Sequence, residues 1–383
     1  MSLPVPGPDA QAASNELSQL IADEIERAGG AIGFDRFMEM ALYAPRLGYY
    51  SGGSAKLGSS GDFTTAPEMS RLFGATLAHV CSHVMAQSAP HVLEFGAGTG
   101  RLAFDILSEA RDSGIAIESY SIIDLSGELR ARQQELLRDF PQVRWLDRLP
   151  ASFSGVVLGN EVLDAMPVQL IRRNAGGAWS ELAVTVEGGR FAFVERAPDA
   201  ALAAQAARQA PDPATLPDDY TTEVHAAGAG FMHSIAAMLM AGRGAAILFD
   251  YGFPAHEYYV PQRIGGTLMC HYRHQAHPDP FFLPGLQDVT AHVDFTAMAL
   301  AAQDAGLDVL AYMNQAAFLL AAGIGELLMR TDPSDVKAYM PQANAVQKLL
   351  SPAEMGELFK VLVAGHGVEL PAPLAAADRS IRL

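Results

Sequence analysis

Cysteine is nearly absent: Cys81 and Cys270 are the only two in 383 residues. That is too few for a disulfide framework, and a reducing cytoplasm is the simplest expected compartment. Basic residues are scarce as well, since 26 Lys and Arg against 43 Asp and Glu leave a net charge of -17. A protein that tracks phosphates needs clustered cations, so DNA and RNA are not expected partners. No apolar run approaches the roughly 20 residues that span a bilayer. The start, Met1-Ser2-Leu3-Pro4-Val5-Pro6-Gly7-Pro8, has no basic segment followed by an apolar one, so no signal peptide is expected. Pro-Pro does not occur anywhere. Charged residues make up only 18% and hydrophobic ones 50%, which excludes disorder and allows two or three cores.

The most informative stretch is His91-Val92-Leu93-Glu94-Phe95-Gly96-Ala97-Gly98-Thr99-Gly100-Arg101, a short apolar run leading into an E-x-G-x-G-x-G turn. Glycines so spaced let the backbone turn sharply after a buried strand and approach a ligand without Cβ obstruction. The apolar spacing of Arg101 to Leu107 then predicts a helix. A dinucleotide fingerprint reads G-x-G-x-x-G and places a diphosphate at the helix N-terminus. Here Gly96, Gly98 and Gly100 alternate and Glu94 precedes them, which suits S-adenosylmethionine, a cofactor with no phosphate and a cationic amino-acid end. The bland alternative is a structural turn. Support comes from Tyr120-Ser121-Ile122-Ile123-Asp124, a second apolar run that ends in a carboxylate where βαβ nucleotide folds place the acid for a ribose diol. Asp124 could instead cap the helix that begins near Gly127.

Along the chain, helical spacing is read over Ser14–Ala28, through Leu17, Leu20, Ile21 and Ile25, and over Phe34–Leu42. The irregular segment Tyr43–Ser70 holds Gly61-Asp62-Phe63-Thr64-Thr65-Ala66-Pro67-Glu68-Met69-Ser70, a loop expected to close over the cofactor. A helix from about Leu72 to Ala86 leads into the core, and further strands are expected at Val143–Leu146, Val156–Gly159 and Ala245–Asp250. Between the last two lie runs at Val168–Arg173, Trp179–Val186 and Phe191–Arg196, which read as an antiparallel meander, followed by an Ala-rich helix over Pro198–Ala210. From about Ala316 the pattern reads as helical, broken at Pro341, Ser351-Pro352 and Gly365-His366-Gly367. The expected domains are an N-terminal helical cap and loop (1–75), a core (76–320) with an insertion at about 168–225, and a helical C-terminal region (321–383).

A second constellation is Asn160-Glu161-Val162-Leu163-Asp164-Ala165-Met166-Pro167, at the expected end of the fourth strand, where open α/β sheets bind ligands. Base N-methyltransferases commonly carry a D/N-P-P-aromatic clamp there. Two carboxylates three residues apart suit instead a cationic acceptor such as a guanidinium, whose planar fork pairs with carboxylates. The bland alternative has Asp164 capping a turn and Glu161 pairing with an Arg. Cys270, His271, His274 and His277 are of metal-ligating type, but Gly265-Gly266 and Pro278-x-Pro280 predict an extended loop there, and no metal is expected. His292 is a further catalytic candidate, able to accept a proton or orient a carboxylate, with a buried structural role as the alternative.

Several segments together resemble the MidA family of class I S-adenosylmethionine-dependent methyltransferases: Gly48-Tyr49-Tyr50, Gly61–Glu68, the glycine turn, Asn160–Pro167, Asp250-Tyr251-Gly252, Gly266-Thr267-Leu268, Gln287-Asp288-Val289-Thr290-Ala291-His292-Val293-Asp294-Phe295 and Met355–Lys360. The G-D-F-x-T-A-P-E and Q-D-x-T-A-H-V-D-F segments are the specific ones. The resemblance implies a Rossmann-like α/β fold, a seven-stranded sheet with helices on both faces. It also implies methylation of a protein arginine, in mitochondrial members one of a respiratory complex I subunit. The chain departs from the family pattern at Val162-Leu163, where larger aromatics are common. It also lacks an Arg-rich transit segment, so it resembles a bacterial member. On this reading Glu94, Gly96, Gly98, Gly100, Asp124, Asn160 and Asp147, after the third strand, serve the cofactor. Glu161, Asp164, Asn160 and His292 serve the reaction. A non-catalytic assembly factor and a small-molecule methyltransferase are the alternatives.

Overall fold

The computed structural model describes residues 3–52, 65–210 and 213–383. The short apolar runs become the strands of one twisted sheet. In chain order these are β1 (His91–Phe95), β2 (Ser119–Ile123), β3 (Val143–Trp145), β4 (Ser154–Asn160), β5 (Arg243–Phe253), β6 (Asp308–Asn314) and β7 (Phe359–His366). Across the sheet they run β6-β7-β5-β4-β1-β2-β3. β1 to β5 pair in parallel, and β7 is antiparallel to both β5 and β6. A two-residue strand, Val293–Asp294, adds to the end of β5, so the sheet has one short strand more than the expected seven. Parallel strands are covered on both faces, which is why Val92, Leu93, Val156, Val157, Ile247 and Leu248 are all buried. The chain leaves β1 toward β2 and β3 and returns to β4 on the other flank, so the crevice opens at the carboxyl ends of β1 and β4.

Helices cover both faces. One core is built around α4 (Arg71–Met85), α5 (Arg101–Ser113) and the C-terminal helices, and the other around Ala226–Met240 and Phe295–Asp304. The remaining pieces form a second lobe. The meander appears as Gln169–Arg173, Trp179–Glu187 and Arg190–Arg196, widened by Ile32–Gly33 and Thr221–Val224. Against it pack α1 (Pro8–Arg27), through Leu17, Ile21 and Ile25, and α2 (Phe34–Tyr43), through Phe34, Phe37 and Met38. The N-terminal cap, the insertion and Cys270 with Val289 thus share one core, although the sequence separates them widely.

Three expectations are corrected. The tail is not helical throughout: Phe359–His366 is an inner strand, because its apolar run is too short for periodicity to tell strand from helix. Pro341 breaks nothing, lying inside the helix Val336–Leu350 that Asp335 caps. Cys270 and His277 face each other across a hairpin, Met269–Tyr272 with Gln275–His277, rather than lying in a loop. Among the described residues no His, Cys, Asp and Glu group is arranged to hold a metal, and no helix is long and apolar enough to cross a membrane.

Candidate active site

At the switch point lies a cavity of about 770 Å³, lined by the glycine turn, the ends of β2 and β4, α2, and a short helix α3 (Ala66–Met69). Gly96, Gly98 and Gly100 have φ of 61°, 55° and 87°, a region that side chains with a Cβ rarely adopt. Gly96 and Gly98 face the cavity. Gly100 does not, and a Cβ there would press within 3.4 Å of the Gln133 backbone. Glu94 is buried and accepts the Tyr120 hydroxyl at 2.7 Å, and burial pushes its carboxyl up to about 8. Asp124 faces the cavity from the end of β2. Its Oδ1 accepts the Ser126 N–H at 2.9 Å and its Oδ2 the Gln133 amide at 2.8 Å.

The Asn160–Asp164 segment forms the adjoining wall, at the end of the strand paired with β1. Glu161 holds a left-handed φ of 55°, unusual for a side-chain residue. Two contacts keep it there. Its N–H donates to the Phe249 carbonyl at 2.9 Å, and Asp250 Oδ2 accepts the N–H groups of Val162, Leu163 and Asp164 at 3.1, 2.8 and 3.3 Å. Asp250, only 1% exposed, is thus the fastener of the segment. The sequence placed it in a motif without showing this role, because the contacts span almost ninety positions. Asn160 donates to Glu161 Oε1 at 2.9 Å, while its Oδ1 is buried with no hydrogen-bond partner. Burial, with Asp164 next in effect, raises the Glu161 carboxyl to about 8. Burial, then Asp250 and Asp288, raises Asp164.

The far end of the cavity is walled by α2, through Asp35, Arg36, Glu39 and Tyr43, and by Tyr50, whose ring stacks on Tyr43 at 5.5 Å. Tyr43 anchors to the Ala165 carbonyl at 2.8 Å and Tyr50 to Asp288 Oδ1 at 3.0 Å. Helical spacing places α2 in the N-terminal cap and says nothing of a site. Its cavity face emerges only when the second lobe closes on the sheet. Glu68 also lines the cavity and hydrogen-bonds the Thr99 hydroxyl of the glycine turn. Residues 61–64 of the loop expected to close over the cofactor lie outside the described residues, while Thr65, Pro67 and Glu68 line the cavity.

Two candidates fall away from this cavity. Asp147 is 84% exposed, paired with Arg130 at 2.6 Å and outside the cavity lining. His292 is packed against Phe253 and Tyr251, with ring centroids 5.4 and 6.3 Å away. Its N–H donates to Thr267, and its carbonyl accepts from Tyr258. Burial, then Arg263, lowers its imidazole to about 4, so it is neutral near pH 7, and its backbone is tied into the Tyr258 network.

Residues 72–313 match the model of a family of S-adenosyl-L-methionine-dependent methyltransferases. The chain belongs to this family. The enzyme is also 30% identical over 379 residues to protein arginine methyltransferase NDUFAF7, mitochondrial, of Danio rerio, covering 87% of this chain and 83% of the relative. Its identity to the NDUFAF7 homolog of Caenorhabditis elegans is 26%, over 85% and 80% of the two chains. A Burkholderia thailandensis protein solved bound to S-adenosyl-homocysteine superposes with a TM-score of 0.93 at 51% identity over 100% of both chains. The native structure of a Burkholderia thailandensis protein gives 0.91 at 50%, again over 100% of both. The MidA resemblance and the class I fold expected from the motifs are borne out, and the cofactor is S-adenosylmethionine. The cradle fits it. Glycines at positive φ leave room for the ligand, Asp124 offers a carboxylate to a diol, and Asn160 Oδ1 is an orphan acceptor.

Proposed function

We propose that the enzyme transfers a methyl group to an arginine nitrogen of a protein. The observation that carries this reading is the acidic wall beside the glycine turn, where Glu161 and Asp164 sit on a backbone fixed by Asp250. A buried carboxyl wall with no Pro-Pro clamp is poor for a flat neutral base and suited to a guanidinium, which brings a compensating charge and paired N–H donors. The names of the relatives at 25 to 30% identity, protein arginine methyltransferases, support the same acceptor. A respiratory complex I subunit is the proposed partner, following the family resemblance, and the bacterial cytoplasm the proposed place of action.

The bound cofactor supplies an activated methyl on a sulfonium. Gly96 and Gly98 shape its seat, Asp124 receives the ribose hydroxyls, and Asn160 Oδ1 accepts a donor across the gap. Glu161 and Asp164 hold the guanidinium by two edges, aligning one nitrogen with the methyl and localising charge on the others. A nitrogen–carbon bond forms as the carbon–sulfur bond breaks. The nitrogen proton passes to Glu161, which burial, then Asp164, raises to about 8 but which the charge of the bound guanidinium keeps as a carboxylate until transfer.

The test combines labelled cofactor with a lysate of cells lacking the endogenous protein, and compares wild type with Glu161→Gln. A labelled protein yielding N-methylarginine on hydrolysis is expected. In the variant, transfer falls by about two orders of magnitude while cofactor affinity holds, on the scale of roughly 3 kcal/mol for a charged hydrogen bond in the transition state. Label confined to small molecules, or full activity of Glu161→Gln, overturns the proposal.

A further inference from the structure

Gln133, on the helix α6 (Gly127–Leu136), has no exposed surface and does not line the cavity, yet every polar atom of its side chain is engaged. One amide hydrogen goes to the Gly98 carbonyl at 2.9 Å, the other to Asp124 Oδ2 at 2.8 Å, and Oε1 accepts the Trp145 indole N–H at 2.9 Å. The three partners specify the sense of the amide. Reversed, its oxygen would face a carbonyl and a carboxylate, and its NH₂ would face the donor of Trp145. A tryptophan at the end of β3 therefore sets the direction of an amide that joins the glycine turn to the acid at the end of β2.

We infer that Gln133 is a positioning residue for cofactor binding, acting through Asp124 and Gly98. The inference rests on the seat proposed above for the ribose. Backbone N–H groups of Ser126, Gly98 and Leu125 also bond the Asp124 carboxylate, and Gln133 adds a side-chain donor on Oδ2, so the carboxylate is held in place beside the cavity. The same amide holds Gly98 at its positive φ. Gly100 has a φ of 87°, and a Cβ there would also crowd Gln133 Cγ at 3.3 Å, so backbone and packing both favour glycine.

The test is calorimetry of S-adenosyl-homocysteine with the full chain. Gln133→Glu keeps the shape and Oε1 but places an oxygen, without hydrogens when ionised, against Gly98 and Asp124. At pH 8 its dissociation constant is expected to rise about tenfold or more, the equivalent of roughly 1.4 kcal/mol. As the pH falls the glutamate gains a proton and one donor, so its affinity relative to wild type recovers. Gln133→Leu weakens binding without such recovery, and Trp145→Phe, which frees the amide to reverse, weakens it less. Asp124→Ala separates the two ideas. If it binds normally, the ribose seat fails and the inference with it. If it binds weakly while Gln133→Glu matches wild type at every pH, the inference alone is overturned. A loss in Gln133→Glu that does not change with pH also overturns it, since it would mark a packing role. Should Gln133→Leu not fold, the pH series of Gln133→Glu and the affinity of Trp145→Phe decide.

Discussion

Replacing Asp250 by alanine separates the scaffold of the acceptor wall from the cofactor seat. The carboxylate accepts three N–H groups on Oδ2, the shortest from Leu163 at 2.8 Å, and that of Tyr251 on Oδ1 at 3.0 Å. Each bond contributes roughly 0.5 to 1.5 kcal/mol net, and removing the acceptor leaves buried donors unmatched at roughly 1 to 3 kcal/mol apiece. Relief from burying a carboxylate returns several kcal/mol, so we expect Asp250→Ala to lose about 3 to 5 kcal/mol of folding stability. Asp250→Asn can keep an oxygen toward the three donors but turns its NH₂ against the Tyr251 N–H, for a loss of about 1 to 3 kcal/mol. Without the fastener, Glu161 also loses what holds it at φ 55°. Urea denaturation gives the stabilities, calorimetry with S-adenosyl-homocysteine the seat. Affinity is expected to change less than tenfold, a shift under about 1.4 kcal/mol, because the glycine turn and Asp124 do not touch Asp250, whereas methyl transfer collapses. An Asp250→Ala protein within about 1 kcal/mol of wild type would refute the reasoning, since the loss of the acceptor leaves four buried N–H groups unmatched.

Gly98→Val should abolish detectable S-adenosyl-homocysteine binding in a folded protein, as a branched side chain at φ 55° both strains the turn and fills the seat; unchanged calorimetric affinity would contradict it. Asp124→Ala is expected to weaken binding by roughly 1 to 3 kcal/mol through lost charge-assisted bonds. Stability should fall as pH rises. Glu94 and Glu161 hold protons up to about pH 8 in the folded protein and release them near the ordinary 4.5 when unfolded. Between those values the native state binds more protons, so their contribution is full below about 4.5 and lost through about 8. Urea midpoints at pH 6 and pH 9 measure this, and Glu94→Gln, which keeps an oxygen for Tyr120, should flatten the slope.

The strands β1, β2 and β4 and the glycine turn were legible in the sequence, because apolar runs bounded by glycine and acid have few other interpretations. β6 and β7 were not: Phe359–His366 sits among helices, and only its pairing with β5 and β6 distinguishes it. The site was half legible. Glu161, Asp164 and Asp124, which line the cavity, stand in local motifs, but the bonds of Asp250 to the Val162–Asp164 backbone join distant parts of the sequence, and the cavity face of α2 exists only in the assembled pair of lobes. Asp147 lies outside the cavity, paired with Arg130, a contact that the local motif does not reveal.

The position of β7 bears on how the enzyme is made. β1 to β4 lie within residues 91–160 and can pair while the ribosome still holds the remainder, whereas β5 waits for roughly one hundred further residues to be synthesised before β7 covers its second edge. Until then β6 has no partner in the sheet, and the bare flank of β5 is open to other nascent chains. A stop codon or protease cut that removes only the last few dozen residues therefore takes out the sheet's interior. The product retains an intact glycine turn and is destined for chaperones and degradation.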